Sequence, residues 1–224
     1  MKGNLIILYH FTVLIFPISF LFSIIKTRKP TNFSYMNGFY WYSLVAMIVL
    51  VFFILRFVNV IPRDISDKIN IISFIYHYYF CANFISKVVV YNKHAFYFNV
   101  IYYIFFVLTI ITTIIAFFYT DYKGYVLTVA NIGLIVLSLF YFNYLFEEEK
   151  NINLYKEPAF WVITGIVLGM SFNIPSQSLS KHLLASLQFE ITQWIFLVGA
   201  FGYVLMHLFF IKASLLCSVP TLEK

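Results

Sequence analysis

The stretch LYKEPAFWVITGIVLGMSFNIP, residues 154–175, decides the fold because it has the features of a helix that enters a lipid bilayer. Pro158 suits the first position of a helix, where its missing N–H leaves no hydrogen bond unmade. Glu157 lies beside the positive end of the helix dipole, and Trp161 lies at the depth of the membrane interface. An apolar run follows as far as Pro175, which we expect to end the helix. The stretch therefore predicts a membrane-spanning helix.

Gly165 and Gly169 in the same stretch have the spacing GxxxG. Two small residues one turn apart let the backbone of a neighbouring helix approach closely. We therefore expect both glycines to mediate helix packing. The partner helix can belong to the same chain or to a second copy in a dimer, and a bundle of many helices offers partners within the chain.

The composition shows that the rest of the chain is of the same kind. Of its 224 residues, 62% are hydrophobic and only 11% are charged, which is too apolar for a soluble domain. Apolar runs of this length predict spanning helices, whereas the alternation typical of a membrane β-barrel is absent. We predict an all-α, polytopic membrane protein whose single transmembrane domain comprises residues 1–224. Its seven helices are expected at about 5–25, 39–57, 69–89, 96–119, 125–146, 159–175 and 189–211.

The basic residues predict the orientation of this bundle. The loops 26–38, 87–95 and 147–158 and the C-terminal end hold nine Lys and Arg residues, and the opposite side holds six. The cluster KTRKP, residues 26–30, directly follows the first helix. Because basic residues are retained in the cytoplasm, the sequence predicts an outside N-terminus and an inside C-terminus, N-out/C-in.

The same charges exclude some function classes. The net charge of +6 comes from basic residues scattered through short loops, so it indicates contact with lipid headgroups and no nucleic-acid partner. The chain has no HExxH or Walker A motif, no pair of intramembrane aspartates and no lysine inside the last helix. Cys81 and Cys217 are far apart and form no metal motif. We therefore expect a non-enzymatic protein without a cofactor or a bound metal.

Polar residues within the spans are the candidates for a binding site, because polar groups are expensive inside a bilayer. On the predicted topology, eight of them fall toward the outer leaflet, and we propose them as ligand-binding residues: His10, Arg56, Asn70, Ser73, His77, Asn131, Glu190 and Gln193. Asn70, Ser73 and His77 lie close to one face of the third helix. Arg56 and Glu190 are plausible ion-pair partners. Together these residues predict a polar cavity that opens to the outside, with His77 toward its floor.

Each of these residues also has a purely structural interpretation. Arg56 and Glu190 lie near helix ends, where a charged side chain can snorkel to the interface. His77 can be an interhelical hydrogen-bond partner, and Asn131 can link two helices in the same way. The sequence leaves both interpretations open.

Several segments resemble a known type of membrane protein. They are NIISFIYHYYFCANFISKVV at 70–89, LFYFNYLF at 139–146, and the helix that opens with PAFW at 158 and contains both glycines. The chain is similar to a family of bacterial seven-transmembrane-helix integral membrane proteins of undetermined activity. Related regions precede or neighbour sensor histidine kinases. The resemblance implies a multi-pass protein of the bacterial inner (cytoplasmic) membrane with a signalling role, whose partner is a membrane protein or a signalling kinase.

Three function classes follow from these observations. The first is a receptor-like or signalling-accessory bundle whose outer cavity binds a small or lipidic ligand. The alternative is a structural or assembly subunit of a larger membrane complex, which the short loops and the lack of catalytic motifs favour. The third is a transporter or an intramembrane enzyme, which is disfavoured because neither an internal repeat of three spans nor a pair of intramembrane acids is visible.

The topology is directly testable. We expect a C-terminal fusion to green fluorescent protein to fluoresce and a C-terminal fusion to alkaline phosphatase to be inactive, because both would be cytoplasmic. Alkaline phosphatase fused within the loop 120–124, predicted to be outside, is the control and should be active. Phosphatase activity only at the C-terminal position would contradict the orientation.

Overall fold

The computed structural model describes residues 17–26, 34–57, 60–89, 95–119, 122–147, 153–185 and 189–217. Throughout these residues the secondary structure is helical, with no strand, so the predicted all-α fold is confirmed. The candidate residue His10 lies outside the described residues.

Seven α-helices make up the described part of the chain. Short 3-10 turns at Ser34–Met36 and Leu154–Lys156 precede the second and the sixth. The helices are α1 (Pro17–Lys26, its described part), α2 (Asn37–Phe57), α3 (Arg63–Val89), α4 (Ala95–Phe118), α5 (Lys123–Glu147), α6 (Pro158–Ala185) and α7 (Phe189–Leu216).

Four helical segments among the described residues are long and apolar enough to cross a membrane: Ala95–Phe118, Lys123–Glu147, Pro158–Ser176 and Gln193–Leu216. Pro17–Lys26 and Gly38–Phe52 are shorter apolar helices. These lengths and compositions indicate a multi-pass membrane protein.

The predicted end of α6 at Pro175 is wrong. Helix α6 continues to Ala185, so Pro175 lies inside it. A proline here removes the hydrogen bond to the carbonyl of Ser171, but spanning helices tolerate this where neighbouring groups compensate. Helix α7 packs against α6 beside this position, where Gly199 of α7 meets Ser176. Pro175 therefore marks the end of the apolar run and not the end of the helix.

Helix α3 begins earlier than the hydrophobic pattern predicts, at Arg63 and not at residue 69. Its first turns are polar but favourable for a helix. Asp64 lies at the positive end of the helix dipole, and its carboxylate forms a 2.9 Å ion pair with Lys68 one turn later. The hydrophobic run thus predicts the apolar part of α3 but not the charged turns that precede it.

The helices pack in a chain of neighbours. Helix α6 packs along α7, α5 packs against α6, α4 and α3, and α3 packs against α2. The described part of α1 contacts α7, because Ser19 Oγ donates to the backbone carbonyl of His207 and Ser23 Oγ lies 3.1 Å from Ser214 Oγ. The rings of Phe39 on α2 and Phe210 on α7 meet edge to face at 5.0 Å. Aromatic contacts thus bring α2 to α7.

One end of the bundle is tied by a hydrogen bond between segments that precede helices. The Tyr35 hydroxyl donates to the Glu157 carboxylate, which joins the turn before α2 to the residue before α6. Burial and the neighbouring carboxylate raise the pKa of the Tyr35 phenol well above its usual range, so Tyr35 stays a donor. We call this the Tyr35 end. On the predicted topology it is cytoplasmic.

The glycine pair of α6 faces α7 of the same chain. A Cβ added to Gly165 would lie 3.0 Å from Phe209 Cβ, and one added to Gly169 would lie 2.9 Å from Met206 Cβ. On α7, a Cβ added to Gly202 would in turn lie 3.1 Å from the Gly169 carbonyl oxygen. The two backbones therefore approach so closely that a larger side chain at either α6 position has no room.

This contact predicts a stability effect. We expect Gly165→Leu and Gly169→Leu each to lower the stability of the bundle by about 1–3 kcal/mol, because the added side chain overpacks a close contact. Thermal unfolding in mild detergent would measure it. Ser171→Leu is the matched control, since Ser171 is an exposed position of the same helix. Wild-type melting of both glycine variants would show that the glycines do not determine the α6–α7 contact.

Candidate functional site

A cavity of about 480 Å³ lies between α2, α3, α5, α6 and α7. It runs from the first turns of α3 and α5, where Ser66 and Lys123 lie, to the middle of the bundle, where His77 and His207 lie. We call the Ser66 and Lys123 side the mouth end; it is opposite to the Tyr35 end. A cavity of this volume is in the range of small-molecule binding sites.

Helix α3 supplies a polar wall. Ser66, Asn70, Ser73 and His77 all line the cavity, because their spacings of four, three and four residues place them on one helical face. Ser73 Oγ donates to the Asn70 backbone carbonyl at 2.7 Å, which satisfies that hydroxyl within the helix. The structure thus brings three of the sequence-predicted residues, Asn70, Ser73 and His77, to one wall.

Aromatic rings close the cavity in the middle of the bundle. His77 Nδ1 and the Tyr42 hydroxyl share a 2.8 Å hydrogen bond between α3 and α2. The Tyr42 ring stacks on Phe80 at 4.3 Å, and Phe20 of α1 meets the His207 ring edge to face at 5.0 Å. His77 therefore lies at the floor of the cavity and also links α3 to α2. The two interpretations of His77, a cavity residue and an interhelical hydrogen-bond partner, are compatible.

Helices α6 and α7 supply a second polar wall that the sequence did not predict. Asn173, Ser176, Tyr203 and His207 line it, and Ser176 Oγ donates to the Asn173 backbone carbonyl at 3.0 Å. Of these residues only Ser176 lies beyond the expected end of α6 at Pro175, and Asn173 lies within the predicted span. The signal that could have found this wall is an asparagine within an otherwise apolar run, which is costly in lipid and therefore points inward.

The remaining wall, on α2, is apolar. Its lining residues share aliphatic or aromatic side chains and are Val45, Ala46, Val49, Leu50 and Phe52. The cavity is therefore amphipathic, with hydrocarbon on one side and neutral hydrogen-bonding groups on the others.

An ion pair lies at the mouth end. Lys123 Nζ of α5 is 3.4 Å from Asp67 Oδ1 of α3, and the two side chains are 30% and 21% exposed. Among the described residues that line the cavity, Lys123 carries the only formal charge at neutral pH when histidine is neutral. Sequence reasoning missed its role because Lys123 was counted only as a loop charge.

Other predicted site residues are not brought to this cavity. Asn131 is buried on α5 and Gln193 is half-buried on α7, but neither lines the cavity. Within the described part of the chain the Asn131 amide has no hydrogen-bond partner, so the interhelical link expected of it is not observed there. Arg56 and Glu190 belong to α2 and α7. Their side chains lie outside the described residues, so their pairing stays a prediction.

The groups at the floor are suited to hydrogen bonding. Cys81 Sγ lies 4.0 Å from both ring nitrogens of His77, a distance typical of a weak sulfur contact. In the part of the chain that the structure describes, no group of three or more His, Cys, Asp or Glu side chains is placed to hold a metal ion. The described cavity therefore offers donors and acceptors and one cation.

Comparisons with protein-family models, with curated proteins and with solved structures give no match. The resemblance to the seven-helix family therefore stays a prediction, and any proposal about function depends on the cavity itself.

Access to the cavity can be measured with engineered cysteines. In a background with Cys81 and Cys217 replaced by alanine, we expect Asn70→Cys to react with a small methanethiosulfonate reagent, because residue 70 lines the cavity. Ser138→Cys is the control, since Ser138 is fully buried on α5 away from the cavity. Intact mass spectrometry would follow the modification. Equal protection of both positions would mean that the cavity is closed to solutes.

Proposed function

We propose that the protein is a non-enzymatic, receptor-like membrane protein that binds a small amphipathic molecule in this cavity. The observation that carries the proposal is the 480 Å³ cavity with two polar walls inside the bundle. Helical bundles fill their interiors with side chains to crystal-like density and leave few voids. A large cavity bordered by hydrogen-bonding groups supports a binding role.

The proposed route of entry is the mouth end. In the N-out/C-in orientation that we propose, α3 and α5 begin on the extracytoplasmic side, so Ser66 and Lys123 face the periplasm. A ligand would then enter from outside and reach as far as His77. The proposed location is the bacterial inner membrane, as implied by the family resemblance.

The Tyr35 end provides a plausible output surface. Helix α2 forms one cavity wall, and α6 forms part of another. The hydrogen bond from Tyr35 to Glu157 joins the beginnings of the same two helices at the far end. A ligand that changes the spacing of α2 and α6 would therefore shift this end, where we propose contact with a membrane partner or a signalling kinase. The proposal needs such differential contact, because a ligand shifts an equilibrium only by its preference for one state.

Blocking the cavity tests the proposal. Ala46 lines the apolar wall, so Ala46→Trp should fill the cavity, whereas Ile48→Trp introduces the same side chain at an exposed position of the same helix. Native mass spectrometry of protein released from gently solubilised membranes should show a bound small molecule in the wild type and in Ile48→Trp, and none in Ala46→Trp.

The opposite result would favour the structural-subunit alternative. If all three proteins carry no small molecule and the wild type co-purifies with a stoichiometric membrane protein, the cavity is not a ligand site and the receptor proposal is wrong. The melting temperature of Ala46→Trp would be compared with that of Ile48→Trp, so that misfolding is not mistaken for loss of binding.

A further inference from the structure

We propose that the ligand is a monocarboxylate with an apolar body, and that Lys123 binds its carboxylate at the mouth end. This inference rests on the proposed function and adds the chemical class of the ligand. The supporting observation is the position of the Lys123 ammonium group, which lies at the rim of a cavity whose other described lining residues are neutral.

The charge pattern selects an anion. No acidic side chain lines the described cavity, and Lys123 lines its rim. A cationic ligand would meet this ammonium group, and no carboxylate among the described lining residues would compensate its charge. A carboxylate would form a charge-assisted hydrogen bond in a partly buried environment, where such bonds are stronger than in water.

The ion pair with Asp67 leaves room for this contact. The Lys123 Nζ to Asp67 Oδ1 distance of 3.4 Å exceeds the roughly 2.7–2.9 Å of a strong ammonium–carboxylate hydrogen bond. An ammonium group has three N–H donors, and the contact with Asp67 uses one of them. Asp67 therefore acts as a competitor that holds the lysine in place and yields to a ligand carboxylate by turning to solvent.

The position of the charge also limits the ligand to one carboxylate. Deeper in the cavity the polar groups on the walls are neutral amides, hydroxyls and imidazoles, including Ser73, His77 and Asn173. A second charge placed there would be desolvated without a partner among the described lining residues, which is strongly unfavourable. The body of the ligand is therefore uncharged.

The walls define that body. Val45, Val49 and Leu50 of α2 offer a hydrocarbon surface, and Phe196 of α7 adds an aromatic ring. From Ser66 to His77 the α3 wall rises by about 16 Å at 1.5 Å per residue, so an extended alkyl chain or a ring system fits along it. Two kinds of molecule combine one carboxylate with such an apolar body: a fatty acid released from lipid and a water-soluble aromatic acid.

Affinity measurements with the full chain in nanodiscs of zwitterionic lipid test the inference. The probes are dodecanoate and cinnamate, with dodecanol and cinnamyl alcohol as uncharged analogues and empty nanodiscs as the partition control. We expect at least one acid to bind about ten-fold or more tightly than its alcohol, because the alcohol offers the ammonium group a neutral oxygen in place of a carboxylate. Preference for dodecanoate indicates the lipid source, and preference for cinnamate the soluble one.

Two substitutions that break the same ion pair distinguish binding from structure. Lys123→Gln should reduce the affinity for the acid to that for the alcohol, and Lys123→Arg should retain most of it. Asp67→Asn should raise the affinity for the acid, because it removes the competing carboxylate. A merely structural ion pair would make Lys123→Gln and Asp67→Asn change affinity in the same direction.

The outcomes separate the two proposals. Equal affinity for acids and alcohols, or equal weakening by Lys123→Gln and Asp67→Asn, overturns the carboxylate inference and leaves a binding cavity. If no probe binds but native mass spectrometry shows a bound molecule that Ala46→Trp excludes, only the ligand class is wrong. If no probe binds and no molecule co-purifies, the proposed function fails as well.

Discussion

The close contact between α6 and α7 is the interaction on which the rest of the bundle depends. In lipid there is little hydrophobic driving force between helices, so association relies on close packing and on hydrogen bonds. Gly165 and Gly169 let the α6 backbone approach Met206 and Gly202 of α7, and no side chain larger than hydrogen fits at these points. The two helices thereby form one wall, and Asn173 is positioned along it. The cavity lies between this wall and helices α2 and α3.

Polar side chains in the interior of the bundle explain where the cavity stays open and where it is closed. A polar group in hydrocarbon needs a partner, so the serines of α3 and α6 bond to carbonyls of their own helices, as Ser73 does to Asn70 and Ser176 to Asn173. His77 instead bonds across to Tyr42. The local bonds let polar groups line a cavity without pulling the helices together, whereas the cross-helix bond closes it at the floor.

The sequence predicted much of the fold because membrane helices follow from length and apolarity. It also placed Asn70, Ser73 and His77 on one face, because helical periodicity is a local property. It could not identify the helix that faces them. Asn131 shows the reason: it lies one turn beyond Leu127 on the same face of α5, yet Leu127 lines the cavity and Asn131 does not, so the depth of a residue in the bundle also decides whether it reaches the cavity. The wall with Asn173 was missed although Asn173 lies within the predicted span, because the face that α6 turns to α7 and to the cavity depends on tertiary contacts.

Helix α4 contributes little to this interior, since its buried residues are only Phe98, Thr109, Thr113 and Ala116. Many of its other apolar side chains are exposed, among them Ile104, Val107 and Ile114. In a membrane such side chains contact lipid tails, which are as apolar as the side chains themselves. One apolar side chain can therefore replace another at these exposed positions of α4 with little effect on the packing of the bundle. We therefore expect relatives of this chain to share its glycines and inward-facing asparagines, and to differ most in the sequence of α4, the most hydrophobic of its span candidates.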